Sequence, residues 1–90
     1  MEQINFITKA TYNGSNQDTL NHVQIQEGYS TNEWLTFVQA RNIGRKIKKG
    51  SKGVKLIKVV DYFDDKKKED KKGVKGFTVF NIEQTEKVGE

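Results

Sequence analysis

Two β-prone runs, Val54 to Phe63 and Val74 to Ile82, lie on either side of Asp64 to Lys72, a stretch with no apolar residue. Nine successive charged side chains cannot hide one face of a strand, so the pattern predicts strand, charged tip and strand. Upstream, Lys48-Lys49-Gly50-Ser51-Lys52-Gly53 reads as a turn, and from Arg45 a shorter extended piece places Ile47 between basic residues. About three antiparallel strands result. They need a covering layer, and the residues before Arg45 supply it.

Gln17 to Gln26 is helical in pattern, with Leu20, Val23 and Ile25 on its apolar side. Ser15 or Asn16 is expected to cap its start, and Gly28 to end it. Thr36-Phe37-Val38-Gln39 is a capping box, with Leu35 in the staple position before it. Phe37, Ala40 and Ile43 are the expected inward stripe of this second helix, and Gly44 its stop. Ile4 and Phe6 fit a short strand or ordered arm, and Tyr12 to Asn16 is turn chemistry. The expected fold is α+β: a small antiparallel sheet packed against two short N-terminal helices. One domain is expected over residues 1–90, with a core from about 10 to 84. A mobile charged loop is expected at 64–73 and a frayed tail at 85–90.

Charge is unevenly spread. Arg41, Arg45, Lys46, Lys48, Lys49, Lys52, Lys55 and Lys58 occupy residues 41–60 without a single acid. Residues 1–40 carry one lysine against four acids, and residues 61–90 seven lysines against eight acids. The basic stretch also holds Ile43, Ile47, Val54, Leu56, Ile57, Val59 and Val60, which a disordered basic tail would lack. Basic charge on a folded surface is the electrostatic footprint of a polyanion binder. A solvated hairpin with lysines blunting a sheet edge is the competing reading.

The chain has no cysteine and one histidine, His22, so neither a thiolate metal site nor a catalytic zinc is expected. Asp64-Asp65 lacks the glycine-turned loop of a calcium site. There is no phosphate-binding glycine loop and no nucleophile elbow. We therefore expect no catalysis, no metal and no cofactor. No apolar run would span a bilayer, and the N-terminus lacks a signal-peptide core. A cytoplasmic protein without a membrane partner is expected.

If the basic stretch binds a polyanion, Lys48, Lys49 and Lys52 are the first phosphate contacts, with Arg41, Arg45 and Lys46 beside them. The turn's glycines would expose N–H groups as an anion nest. Trp34 and Tyr12 are the expected stacking rings for unpaired bases, whereas Phe37 and Phe80 read as core. Gln39 and Asn16 are possible hydrogen-bond partners, though helix capping explains both equally. Lysine acts as a point charge, so sequence specificity should be slight.

Several ordered motifs carry a resemblance. Gly28-Tyr29-Ser30-Thr31-Asn32-Glu33-Trp34-Leu35-Thr36-Phe37-Val38-Gln39-Ala40 resembles the N-terminal domain of ArdC-type antirestriction proteins. A basic turn follows as Ile47-Lys48-Lys49-Gly50-Ser51-Lys52-Gly53, and a closing strand as Val79-Phe80-Asn81-Ile82-Glu83-Gln84. Tyr12-Asn13-Gly14-Ser15-Asn16 is similar to the family's opening, so the likeness spans about Ala10 to Gln84. The resemblance implies single-stranded DNA binding and a plasmid or phage setting in which incoming DNA is protected. In that family a metallopeptidase-like domain with an H-E-x-x-H helix usually follows. This sequence does not include it, so no peptidase role is carried over. The charged tip departs from the family pattern. An alternative of another class is a small protein that binds and inhibits a host defence nuclease.

Overall fold

The computed structural model describes residues 2–89. In chain order its elements are β1 (Ile4–Asn5), α1 (Gly14–Glu27), β2 (Glu33–Leu35), α2 (Phe37–Asn42), β3 (Arg45–Ile47), β4 (Val54–Asp64) and β5 (Glu69–Asn81). A 3-10 turn (Ile82–Gln84) and β6 (Thr85–Lys87) follow. Four strands form one sheet in the order β1-β2-β5-β4, with β1 parallel to β2 and the other pairs antiparallel. β3 and β6 form a separate antiparallel pair. The molecule is therefore α+β as expected, but with six strands among the described residues and one substantial helix, not three strands under two. The added strands are two or three residues long, too short to leave a period-2 signature in sequence.

The long β4–β5 hairpin matches the expected strands, and its pairing runs from Val54↔Val79 to Asp64↔Glu69. β4 ends at Asp64 and β5 begins at Glu69, so of the expected loop at 64–73 only residues 65–68 form the turn. The turn between the strands is held by Asp64, whose Oδ1 accepts from the Lys66 and Lys67 N–H groups at 2.9 and 3.2 Å. Thr85–Lys87, expected as frayed tail, pairs with Arg45–Ile47 as β6.

Leu20, Trp34, Leu56 and Val79 form the core cluster, with Tyr12, Val23, Tyr29, Val54 and Phe77 packed around it. Each fully buried large side chain contributes about 1.5–3 kcal/mol. Ile25 is exposed, so α1 offers a narrow apolar stripe. Polar bonds supplement it. The buried Gln3 donates from Nε2 to Asn21 Oδ1 (2.9 Å) and Gln24 Oε1 (2.6 Å) on α1, and its Oε1 accepts from Trp34 Nε1 at 2.6 Å. Gln17 Nε2 returns to the Gln3 and Tyr12 carbonyls at 3.0 and 2.8 Å. One glutamine thereby ties the N-terminal arm, the helix and β2 together.

Two local expectations need correction. Asn13, not Ser15 or Asn16, precedes the first turn of α1, and no side chain caps it. Asn16 instead reaches sideways to β4: its Nδ2 donates to the Ile57 carbonyl (2.6 Å), and its Oδ1 accepts from the Ile57 N–H (3.1 Å). The capping box of α2 is present as expected, with Leu35 and Ala40 buried, but Phe37 is 55% exposed and Ile43 is exposed too. The helix is only six residues long, so Ala40 alone of its residues reaches the interior. No helix among the described residues is long and apolar enough to cross a membrane.

Candidate nucleic-acid interface

The loop between β3 and β4 brings Lys48, Lys49 and Lys52 around a groove of about 600 Å³, completed by Tyr29, Gly50, Ser51, Gln84, Glu27 and Glu83. All three lysines are exposed, and none forms an ion pair among the described residues. Gly50 turns the chain at φ +84°, a conformation unfavourable to other residues. At Gly53 an added Cβ would lie 2.3 Å from Thr78 Cγ2, so a larger residue there would have to displace the Thr78 side chain.

Gln84 clamps both ends of this loop. Its carbonyl accepts from the Lys48 N–H at 2.8 Å, and its Nε2 donates to the Lys52 carbonyl at 2.9 Å. Its Oε1 accepts from the Asn81 N–H at 2.8 Å, closing a second capping box, Asn81-x-x-Gln84. Sequence reasoning gave Gln84 no positioning role, although the capping-box spacing was present to be read. The Ser51 N–H bonds the Lys48 carbonyl at 3.1 Å. With the Lys48 N–H also engaged, the expected backbone nest is reduced to the loop's remaining N–H groups.

The other expected cations are divided. Arg41 is exposed in the last turn of α2. Arg45 is half-buried and holds β6: Nε donates to Thr85 Oγ1 (2.7 Å) and a terminal guanidinium nitrogen to the Thr85 carbonyl (3.2 Å). Lys46 faces Glu86 across the β3–β6 pair at 3.7 Å, a solvent-exposed ion pair of little energetic weight. Arg45 thus serves structure, and Lys46 is partly neutralised.

The expected rings are also reassigned. Trp34 is fully buried, its indole bonded to Gln3 and met edge-on by Tyr29 at 5.9 Å and 84°. It cannot stack on a base without opening the core, and its proximity to the basic stretch in sequence is not proximity on the surface. Tyr12 is half-buried, and its hydroxyl accepts from Asn5 Nδ2 at 3.1 Å. Burial raises its phenol pKa, and the Asn5 bond partly offsets that. Tyr29 is the ring at the lysine groove; burial, then the charges of Glu27 and Glu83, raise its pKa. Gln39 is occupied by its capping role, its Oε1 accepting from the Thr36 N–H and from Asn5 Nδ2, both at 3.0 Å.

Glu83 sits at the groove's edge and accepts from the Thr31 N–H (2.8 Å) and the Ser30 hydroxyl (3.1 Å). Partial desolvation works against its charge, but these hydrogen bonds outweigh it and hold the carboxyl below its ordinary pKa. The groove therefore places three exposed ammonium groups beside two carboxylates, and hydrogen bonding favours the charged form of one of them, Glu83.

A family profile described as the N-terminal domain of anti-restriction factor ArdC matches residues 2–90. The metal-free crystal structure of the antirestriction ArdC protein from R388 plasmid is similar with a TM-score of 0.81 at 30% identity, covering 100% of this chain and 34% of that one. Its Mn(II)-bound structure gives a TM-score of 0.81 at 29% identity, covering 99% and 36%. The chain thus spans about a third of the length of the proteins it matches. No curated protein matches it.

Proposed function

Since this chain belongs to the family of the N-terminal domain of the anti-restriction factor ArdC, we propose that it is a non-catalytic DNA-binding module of antirestriction type, preferring single strands and reading little sequence. The observation that carries this reading is the clamped loop: Lys48, Lys49 and Lys52, which form no ion pair among the described residues, stand beside Tyr29 on one groove. Phosphates would meet the three ammonium groups, and an unpaired base could reach the tyrosine ring, the combination that single-strand binders use. Point charges on flexible stems hold a backbone without distinguishing bases.

Fluorescence anisotropy with matched single- and double-stranded oligonucleotides across a salt series tests it. With three phosphates neutralised, log K on single strands should fall against log salt with a slope of about −2. Lys48→Glu with Lys49→Glu should abolish most of the affinity and leave the melting temperature nearly unchanged. A salt-independent affinity, or an unaffected double variant, would remove the groove from the mechanism.

One observation favours a second reading, a protein-binding inhibitor of a defence nuclease. Ile57, Val59 and Val74 are exposed together on one face of the β4–β5 ribbon, with Phe63 beyond the Asp61–Lys72 pair on the same face, an apolar patch that a protein partner could cover. Stoichiometric capture of one nuclease, with no DNA affinity at low salt, would support that reading over the first.

A further inference from the structure

Side chains directly opposite each other on an antiparallel pair share a face, and like charges so placed repel. The β4–β5 ribbon contains two such pairs. At the tip, Asp64 stands opposite Glu69. There the fold supplies its own counter-charge: Lys71 Nζ lies 3.1 Å from Asp64 and 3.8 Å from Glu69, bridging both. Nearer the core, Lys58 stands opposite Lys75. Both are exposed, and neither forms an ion pair among the described residues. Their neighbours on that face, Leu56, Val60, Gly73 and Phe77, carry no charge. Asp61, the nearest acid along β4, lies on the opposite face with its own partner, Lys72.

One member of the pair also borders a shaped surface. Lys58 lines a groove of about 530 Å³ with Tyr12, Asn16, Ile57 and Phe77. Its Nζ lies 5.9 Å from the centroid of the Phe77 ring. The two hydrogen bonds between Asn16 and Ile57 fix the helix against the strand beside it.

We infer that Lys58 and Lys75 form a second phosphate-binding position, which plays for these two cations the part that Lys71 plays for the two acids at the tip. The inference rests on the DNA-binding reading for the identity of its ligand, a phosphodiester of the bound strand. Lys58 lies six residues beyond Lys52, at most about 20 Å along the chain. A single strand gripped at the clamped loop would cross that distance in about six nucleotides if it kept the roughly 3.4 Å per-strand rise of a duplex, and in fewer if extended.

The test is Lys58→Gln with Lys75→Gln, compared with wild type on a labelled dT12 strand across a salt series and in thermal melts with sodium pyrophosphate. The salt slope should become shallower by about 1.4, the share of two phosphates on a single strand. Pyrophosphate should raise the melting temperature of wild type more than that of the variant. Removing the repulsion should also leave the variant at least as stable at low salt. If the double variant fails to fold, Lys75→Gln alone serves in the same assays, with half the change in slope. If wild type binds DNA with a salt-dependent affinity that the variant reproduces, the position is refuted and the clamped loop stands. If wild type binds no strand yet pyrophosphate stabilises it over the variant, the anion position stands and the DNA reading fails. Equal stabilisation by pyrophosphate together with unchanged DNA binding overturns the inference.

Discussion

At Glu83 a single carboxylate serves two neighbours, holding the Thr31 N–H and the Ser30 hydroxyl while bordering the lysine groove. Glu83→Gln keeps an acceptor for those donors and removes the charge. If the groove binds phosphate, affinity should rise about threefold at low salt, the scale of one unit charge acting across solvent. An unchanged or weaker affinity in the same anisotropy assay would show that the carboxylate does not face the ligand. The sign of its acid dependence also follows. A folded-state pKa below the ordinary carboxyl value means that Glu83 stabilises the fold above that value. The contribution is lost as pH falls through the depressed pKa. Glu83 remains partly open to solvent, which keeps the effect small, so the acid side of the melting-temperature profile should differ little between Glu83→Gln and wild type. Trp34 shows how far residue type alone misleads. An indole beside a basic stretch is an ordinary candidate for stacking, but burial decides its use, and burial depends on Leu20, Leu56 and Val79 far away in sequence.

Among the elements, local chemistry is the part that sequence carried well. The capping box of α2, the end of α1 at Gly28 and the β4–β5 hairpin each depend on residues a few positions apart, or on one alternating run. Asn16 is the contrary case. Capping preference assigns it to the helix start, yet it satisfies the outer N–H and C=O of Ile57, forty-one residues on. Because Ile57 points these groups away from β5, Asn16 covers part of an edge that would otherwise be open to pairing. Asn16→Ala should therefore destabilise the fold by about 1 kcal/mol. For a domain of this size that corresponds to a fall of about 4–8 °C in melting temperature. Hydrogen exchange should accelerate at the Ile57 amide before it does so in the core. Protection unchanged at that amide would show that the side chain is not its partner in solution.

For the whole molecule, the ribbon is the dominant feature of shape. The principal extents are 52 × 30 × 23 Å, and none of residues 61–72 is buried. Such a segment adds little to global stability. Replacing residues 61–72 by Asn-Gly would close β4 on β5 at the Val60↔Gly73 pair with a favoured two-residue turn. The shortened protein should melt within about 5 °C of wild type and keep the lysine groove. A collapse in stability would mean that the arm packs where the described structure leaves it exposed. The sequence by itself determined the α+β class, the long hairpin, the concentration of basic charge and the local signals that begin and end helices. These are set by neighbouring residues and by strand or helix period. Only the tertiary structure decided which of those cations stand free of ion pairs among the described residues. It engaged Arg45 with Thr85, set Lys46 against Glu86, buried Trp34, and left Lys48, Lys49 and Lys52 on a loop clamped by Gln84. The physical reason is range: a side chain's availability depends on what distant segments bring within about 4 Å of it, and chain order does not encode that distance.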